Sequence, residues 1–537
     1  MTFDEWNTQF PYSPPNDVDW TSCGVRLGPD GGNAVEVVWG SGGSGSKSTL
    51  RKVWKDRKGS RINPVVAVHY TDSQAIVMGP GREGASPSAT TIRDVDQLSR
   101  ILDAALVLED RHKARQFLDK YLPHAGSPAL GVHNSGLLAT HALHRASDER
   151  DDWDQLAING KTLLDQRRRK LMEGLGFQVQ QSSQQHSILS VGGEGAAIAL
   201  FLQPNETPDG WFVERFGSEA PVLYALRMAE IENVDWVVIT SGPTVRLYPT
   251  STTVGVGRRG RTETFCEVRL DLLSETNAGY LPLLFSSGAL KPDGYLRDLI
   301  ERSADHVAEL GKRLRDRIYG NILPRLATGI AEARELDAPT TEDLSQTHDM
   351  ALTLLFRLLF ISYAEDRVLL PYGENDEYTK VALKTLAKTF TPSEENLGIE
   401  FDSDSTELWA NVSSIVKAIH DGRDEWSIPA YGGTPFTEDE NIKPSGARLA
   451  EIRLDDSVFG PILQGLLIDR GADDEIGPID FRELSVREFG TIYEGLLESE
   501  LALATEDLAE DNKGYYRPAS GNDTVVVENG EFYLHNS

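Results

Sequence analysis

The 537 residues carry 83 acidic and 53 basic side chains, a net charge of −30, which excludes a surface that coats nucleic acid or anionic membrane all over. Any DNA contact has to come from a local basic strip. Hydrophobic residues at 39%, charged residues at 25% and nine Trp exclude a disordered or fibrous chain, and the length calls for about three or four domains.

Residues 1–150 read as an N-terminal α/β domain. Ala34-Val-Glu-Val-Val-Trp39 is a β-branched strand, Gly40-Ser-Gly-Gly-Ser-Gly-Ser46 a Gly/Ser loop, and Lys47 to Lys58 an amphipathic basic segment. Asn63 to Tyr70 and Gln74 to Met78 form a hairpin. Asp94 precedes one long helix, Val95 to Leu122, with Leu98, Ile101, Leu102, Ala105 and Leu106 at helical spacing. Gly131 to Leu143 is a loop running into a short helix, and the acidic run Asp148 to Asp154 marks a boundary.

Residues 151–290 form a second α/β unit. A helix over Leu163–Leu175 stops at Gly176, and two apolar stretches follow, His186 to Val191 and Ala196 to Leu202. Pro221 to Glu232 is helical; Val234–Thr240 and Thr244–Tyr248 are strands joined by a turn at Ser241-Gly-Pro243. From 291 to 500 the period is helical, through Leu296–Tyr319, Ile322–Ala333, Leu344–Leu370 and Val381–Thr389. Residues 501–537 turn to short β-like pieces. No internal repeat is apparent. The most apolar run, Met350 to Ala364, contains Arg357 and falls short of the ~20 residues of a bilayer crossing, so it reads as a buried helix and no membrane partner is expected. Two cysteines, Cys23 and Cys266, exclude a disulfide framework and point to a reducing cytoplasm.

Several patterns invite chemistry. Gly40 and Gly45 have the spacing of a phosphate-binding loop, but Ser46 intervenes before Lys47, so the stretch reads as a flexible linker rather than a nucleotide site. His133, His141 and His144 lack a second paired motif and read as packing or capping residues; no metal site is assigned. The order of elements over 153–250 is that of a nuclease-like fold, whose chemistry needs an Asp and a Glu/Asp-x-Lys around Mg²⁺. No lysine occurs between Lys170 and Lys291, and Ala196 to Leu202 carries no acid, so this copy reads as degenerate. Glu194, Asp209 and Glu214, with Arg215, are the carboxylates and cation left for a displaced active site. For DNA, Gly257-Arg-Arg-Gly-Arg261 is the best strip, because glycines let backbone approach phosphate beside Arg258, Arg259 and Arg261; Arg167, Arg168 and Arg169 form a second. Arg51 to Arg61 and Lys312 to Arg317 are further basic runs, and Glu365, Asp366 and Arg367 read as an ion-pair cluster at a helix end.

Three segments carry a resemblance: Trp236-Val-Val-Ile-Thr-Ser-Gly-Pro-Thr-Val-Arg-Leu-Tyr248, Ala364-Glu-Asp-Arg-Val-Leu-Leu-Pro371 and Phe489-Gly-Thr-Ile-Tyr-Glu-Gly-Leu-Leu-Glu498. In this order they resemble segments of type IIG-like restriction–modification proteins and of adenine-specific DNA methyltransferases of phage-defence systems (BREX- or DISARM-like). The resemblance spans most of 160–537 and, more loosely, the first 150 residues. It implies an α/β plus α architecture, nuclease-like domains followed by a helical connector, with 501–537 leading into a methyltransferase domain. That domain would bind S-adenosylmethionine and flip adenine against an Asn/Asp-Pro-Pro-Tyr motif. Neither element occurs here, since Ser13-Pro-Pro-Asn16 has the wrong order, so no cofactor site is expected in this chain and it reads as the N-terminal half of such a protein. The expected role is a DNA-contacting scaffold, with other defence-system subunits as further partners. The alternatives are a non-catalytic interaction subunit and a Mg²⁺-dependent nuclease with a displaced site.

Overall fold

The computed structural model describes residues 10–536 apart from 29–33, 60, 72, 81–86, 88, 127–128, 257–259, 337–338, 368, 374, 393–398, 471–475, 483, 485–488, 491, 493, 495, 497–498, 512–515 and 522. It comprises two units, residues 1–304 and 305–537, the first mixed α/β and the second mainly helical.

The first sheet of the α/β unit holds six strands in chain order: β1 (Phe10–Pro11), β2 (Ser22–Arg26), β3 (Glu36–Ser41), β4 (Val65–Tyr70), β5 (Ala75–Met78) and β6 (Ala89–Ile92). Neighbours are antiparallel except β3 and β4. These two run parallel because the helix α1 (Lys47–Lys58) carries the chain back between them, a return that no hairpin turn can make. Both read as near-continuous apolar runs because they are buried on two faces. The predicted single helix after β6 is two, α2 (Val95–Leu106) and α3 (Arg111–Tyr121). Asp110 interrupts it: its Oδ1 accepts from the amides of His112 (2.7 Å) and Lys113 (3.0 Å), starting a new helix where the apolar spacing alone continues the old one.

The second sheet adds β7 (Val132–Ser135), β8 (Gln178–Gln181), β9 (Ser187–Val191), β10 (Glu194–Phe201), β11 (Trp236–Ser241), β12 (Thr244–Pro249) and β13 (Phe265–Arg269), in the spatial order β7-β13-β12-β11-β10-β9-β8. The helices α4 (Thr140–Glu149), α5 (Trp153–Lys161) and α6 (Arg168–Gly174) precede β8. Between β10 and β11 lie α7 (Val213–Phe216) and α8 (Pro221–Ile231), and after β13 come α9 (Tyr280–Phe285) and α10 (Ser287–Leu290). The Gly131–Leu143 segment, expected as loop, supplies β7, which pairs with β13; the second sheet therefore begins before the expected boundary at 150.

The two sheets repeat one scheme. Three antiparallel strands, a crossover helix, a fourth strand parallel to the third and two more antiparallel strands describe both β1–β6 and β8–β13. No repeat is visible in the sequence because the third strands share almost no side chains: Glu36-Val-Val-Trp-Gly-Ser41 in one, Glu194-Gly-Ala-Ala-Ile-Ala-Leu-Phe201 in the other. Backbone pairing tolerates that divergence so long as each face finds its own partner.

The Gly40–Ser46 stretch is not a linker. It is the connection from β3 into α1, packed on both sides. Ser46 caps α1 by accepting from the Thr49 amide (3.2 Å), the Trp20 indole N–H donates to the Ser44 carbonyl (3.1 Å), and the Ser44 amide donates to Asp19 Oδ1 (2.8 Å). The buried His69 donates from Nε2 to the Gly42 carbonyl (3.0 Å). A Cβ on Gly45 would lie 2.2 Å from His69 Nδ1. Gly45→Ala should therefore cost about 1–3 kcal/mol by overpacking, read as a lower urea midpoint. An unchanged midpoint would restore the linker reading.

The second unit is built on one large core, with a small separate cluster of Ala504, Leu508 and Val527. The helix α11 (Tyr295–Arg317) crosses the division and continues through a π-turn, Ile318–Ile322, into α12 (Leu323–Ala333), where two separate helices were expected. α13 (Thr341–Asp366) opens with a capping box between Thr340 and Asp343 and buries most of the Met350–Ala364 run as predicted, with Phe360 left exposed. Arg357, 4% exposed, is accommodated by donating to the carbonyls of Pro435 (2.7 Å) and Thr437 (3.1 Å). Next come α14 (Asp376–Val381), α15 (Leu383–Phe390), α16 (Glu407–Asp421), α17 (Pro444–Glu451) and α18 (Asp456–Leu467). Three short antiparallel pairs accompany them: β14 (Ile468–Arg470) with β15 (Ile476–Pro478), β16 (Ser499–Leu503) with β19 (Phe532–Asn536), and β17 (Leu508–Glu510) with β18 (Tyr516–Pro518). Asp366 pairs with Lys384 (2.6 Å), while Glu365 has no ion-pair partner among the described residues and instead accepts from the start of α15. Among the described residues no helix is long and apolar enough to cross a membrane.

Candidate functional site

The register of β11, β12 and β13 builds two transverse rows of side chains on one face of the second sheet. Ile239 stands opposite Arg246, and Arg246 opposite Glu267; one rung further, Ser241 stands opposite Thr244, and Thr244 opposite Arg269. The alternate residues Val245, Leu247, Cys266 and Val268 point the other way into the core, so the period of two assigns polar and apolar side chains to separate faces. Helix α3 covers part of the polar face. Phe117 and Tyr121 bury against the first domain's core, and Lys113, Gln116 and Lys120 follow at helical spacing on an exposed stripe. Between helix and sheet is a cleft of about 390 Å³, closed at one end by Thr207, Pro208 and Asp209. It lies over the face of β11, β12 and β13, near the end of β11 at Ser241, where the loop that follows β10 reaches it.

Electrostatics order the floor of the cleft. Glu267 is 3% exposed and accepts from Arg246 Nε (2.6 Å), Lys120 Nζ (3.1 Å) and the Tyr121 hydroxyl (3.2 Å). Burial acts to raise its pKa, but Lys120 and Arg246 outweigh burial and hold the carboxyl down at about 2. Arg246 also donates to Asp209 Oδ2 (3.0 Å) and to the Tyr248 hydroxyl (3.2 Å). Burial pushes Tyr248 up to about 12. Arg269 is held bidentate by Asp271 (2.9 and 2.5 Å) and lies over the Phe117 ring at 4.6 Å. Among the residues lining the cleft, four cations (Lys113, Lys120, Arg246, Arg269) face two carboxylates (Asp209, Glu267), and Asp271 neutralises Arg269 from beside it, which leaves a local surplus of one positive charge in a chain of net charge −30. Lys113 has no ion-pair partner among the described residues. Such a site attracts anions.

The sequence candidates fall elsewhere or serve the fold. Glu194 starts β10 and is exposed, whereas Asp209 lies in the loop after the same strand ends at Phe201, so the length of β10 separates them. Glu214 is exposed on α7. Arg215 clamps the loop, pairing with the buried Glu206 and donating to the Phe201 carbonyl (3.2 Å). Of the proposed set only Asp209 reaches the cleft. Where β10 pairs with β11 it presents Ala197, Ile198, Ala199, Leu200 and Phe201, apolar on both faces. Among the described residues no group of three or more His, Cys, Asp or Glu stands close enough to hold a metal ion.

The arginine strips are similarly engaged. Arg167 donates to the Leu164 and Gln166 carbonyls, Arg168 to Leu202 (3.0 Å), and Arg169 to Glu173 (2.8 Å) and the Val179 carbonyl (2.9 Å). Arg261 pairs with Glu230 (2.7 Å), and Arg258 and Arg259 lie outside the described residues. In the run 51–61, Arg57 and Arg61 pair with Glu36; on α11, Arg313 and Arg317 pair with Asp469. His133 contacts the Phe265 ring on β13, and the side chains of His141 and His144 lie outside the described residues.

The cleft residues Lys113, Lys120, Arg246, Glu267 and Arg269 escaped sequence reasoning because Glu267 joins partners 21 to 147 residues away along the chain. A signal existed: polar or charged residues two apart, in Thr244-Val-Arg246 and Glu267-Val-Arg269, each alternating with a buried valine. Comparisons with protein-family models, with curated proteins and with solved structures find no match to this chain.

Proposed function

We propose that residues 1–304 form a nuclease-like but catalytically silent unit that contacts DNA, joined to a helical connector in the restriction or phage-defence setting that the resemblance implies. The observation that carries this reading is the cationic cleft between α3 and the face of β11–β13, in a chain otherwise strongly acidic. Three antiparallel strands, a crossover helix and a parallel fourth strand support the nuclease-like part. The apolar pairing stretch of β10 supports silence, because Mg²⁺ chemistry of that kind needs a carboxylate and a lysine on it. Methyl transfer from S-adenosylmethionine enters through the resemblance alone, and no residue of the chain is assigned to it.

The test is titration of a fluorescein-labelled DNA duplex with a single-stranded tail, at several salt concentrations. Binding should weaken steeply as salt rises, and Lys113→Glu should weaken it at least about threefold near 50 mM salt and flatten the salt slope by about one phosphate contact. No binding at low salt would sink the proposal. Plasmid nicking in Mg²⁺ that disappears in Glu214→Ala would favour the displaced-nuclease reading instead.

A further inference from the structure

The cleft has a second component that its charges do not explain. The loop that closes it, running from Glu206 to Phe212, is staked at its base: Glu206 pairs with Arg215 and accepts from the Gln203 amide (2.8 Å), and its carbonyl accepts from the Ser241 hydroxyl (3.0 Å). Two residues beyond Asp209 this anchored loop presents Trp211, 71% exposed. Among the described residues the other tryptophans are buried or half-buried, with Trp20, Trp39, Trp54 and Trp236 all below 10% exposure. A bare indole on a fixed loop, two residues along the chain from Asp209 in the lining of a cationic cleft, is a combination that neither core packing nor solubility accounts for.

The pairing of groups matches one chemistry. Backbone phosphates take lysine and arginine, and unpaired bases take a flat aromatic face, sequence-tolerantly. The slot of about 390 Å³ between α3 and the sheet is in the range of small-ligand pockets, room for a nucleotide and too narrow for a duplex. Arg246 and Arg269 are recessed on its floor, while Lys113 and Gln116 stand at its lip.

We infer that the cleft seats single-stranded DNA, with a phosphate held by Lys113 and an adjacent unpaired base stacked on Trp211. The inference rests on the DNA-contacting reading above and narrows it to the form of DNA bound. It assigns Trp211, on the loop between β10 and α7, a binding role that the basic strips of the sequence did not contain.

The experiment compares three labelled oligonucleotides of equal length: a single strand, its duplex, and a strand of the same backbone with abasic sites. Wild type, Trp211→Ala, Trp211→Phe and the double variant Lys113→Glu/Gln116→Glu are titrated with each. All of these positions are on the surface, and circular dichroism melts check that the variants fold. The expected result is that the single strand binds tightest and that Trp211→Ala weakens it about tenfold, to the level of the abasic strand. Trp211→Phe should keep most of the affinity, and the double charge variant should weaken all three ligands. If the abasic strand or the duplex binds as well as the single strand, or if Trp211→Ala changes nothing, the stacking seat is overturned. Should the charge variant also change nothing, or the wild type bind none of the three, the DNA-contacting reading falls with it.

Discussion

Glu365→Ala is expected to cost the helical unit about 3–5 kcal/mol, the largest effect of any single substitution considered. The carboxylate is 1% exposed at the end of α13 and accepts three hydrogen bonds: from the Tyr378 hydroxyl (2.6 Å) and the amides of Leu383 (3.0 Å) and Lys384 (2.7 Å). It thus supplies, from another helix, the cap that α15 lacks locally, since Ala382 at its N-terminus has no side chain to offer. Truncation leaves two amides and a buried hydroxyl without acceptors. Glu365→Gln keeps the volume but turns an NH₂ group toward a donor, so it should cost about half as much.

The pH dependence of this site has a definite sign. Burial raises Glu365 from 4.5 to about 7, opposed by the Tyr378, Lys384 and Leu383 hydrogen bonds. A carboxyl that is a weaker acid folded than unfolded contributes stability fully below about pH 4.5 and loses it as pH rises through about 7. Unfolding at about pH 6 should therefore show about 1 kcal/mol more contribution from this residue than at about pH 8. Subtracting the Glu365→Gln curve isolates that slope, and a flat difference would contradict the protonation argument.

Glu267→Gln should show the opposite behaviour in the α/β unit. Its folded pKa of about 2 lies below the ordinary 4.5, because Lys120 and Arg246 outweigh burial. The stabilisation, about 3 kcal/mol from that difference, is present above about pH 4.5 and lost as pH falls toward 2. At neutral pH the variant should unfold at markedly lower urea, and the gap from wild type should narrow through that acid window. Equal stability at neutral pH would mean that the Arg246–Glu267–Lys120 network contributes nothing net, as exposed ion pairs commonly do.

Much of the architecture is legible in the residues. The hairpin at 63–78, the strands at 234–248 and the buried α13 follow from periodicity and turn chemistry, because each depends on neighbours in sequence. Errors arise where a distant partner decides. The Gly40–Ser46 loop looks like a linker until Trp20 and His69 pack against it, and Gly131–Leu143 looks like loop until β13 offers an edge to β7. The candidate site was less legible still. Arg167, Arg168, Arg169 and Arg261 have the composition of a phosphate strip, but their guanidinium groups are engaged by nearby carbonyls and carboxylates. Composition records that a charge exists; only the fold records whether it is already neutralised.

The shared pairing scheme of the two sheets bears on how the chain reaches its native state. Within one polypeptide, two six-strand ribbons wired identically offer each other's strands as plausible wrong neighbours, the hazard of intramolecular exchange during assembly. Side-chain bulk discriminates between them. The indole is on the third strand of the first ribbon, Trp39 opposite Val68, and on the fourth strand of the second, Trp236 opposite Ala197, so exchanging partners would pair the two indole-bearing strands with each other or pair the two that lack one, crowding one site and leaving a void in the other. The same unlikeness of side chains that hides the shared scheme in the sequence also protects each half from the other.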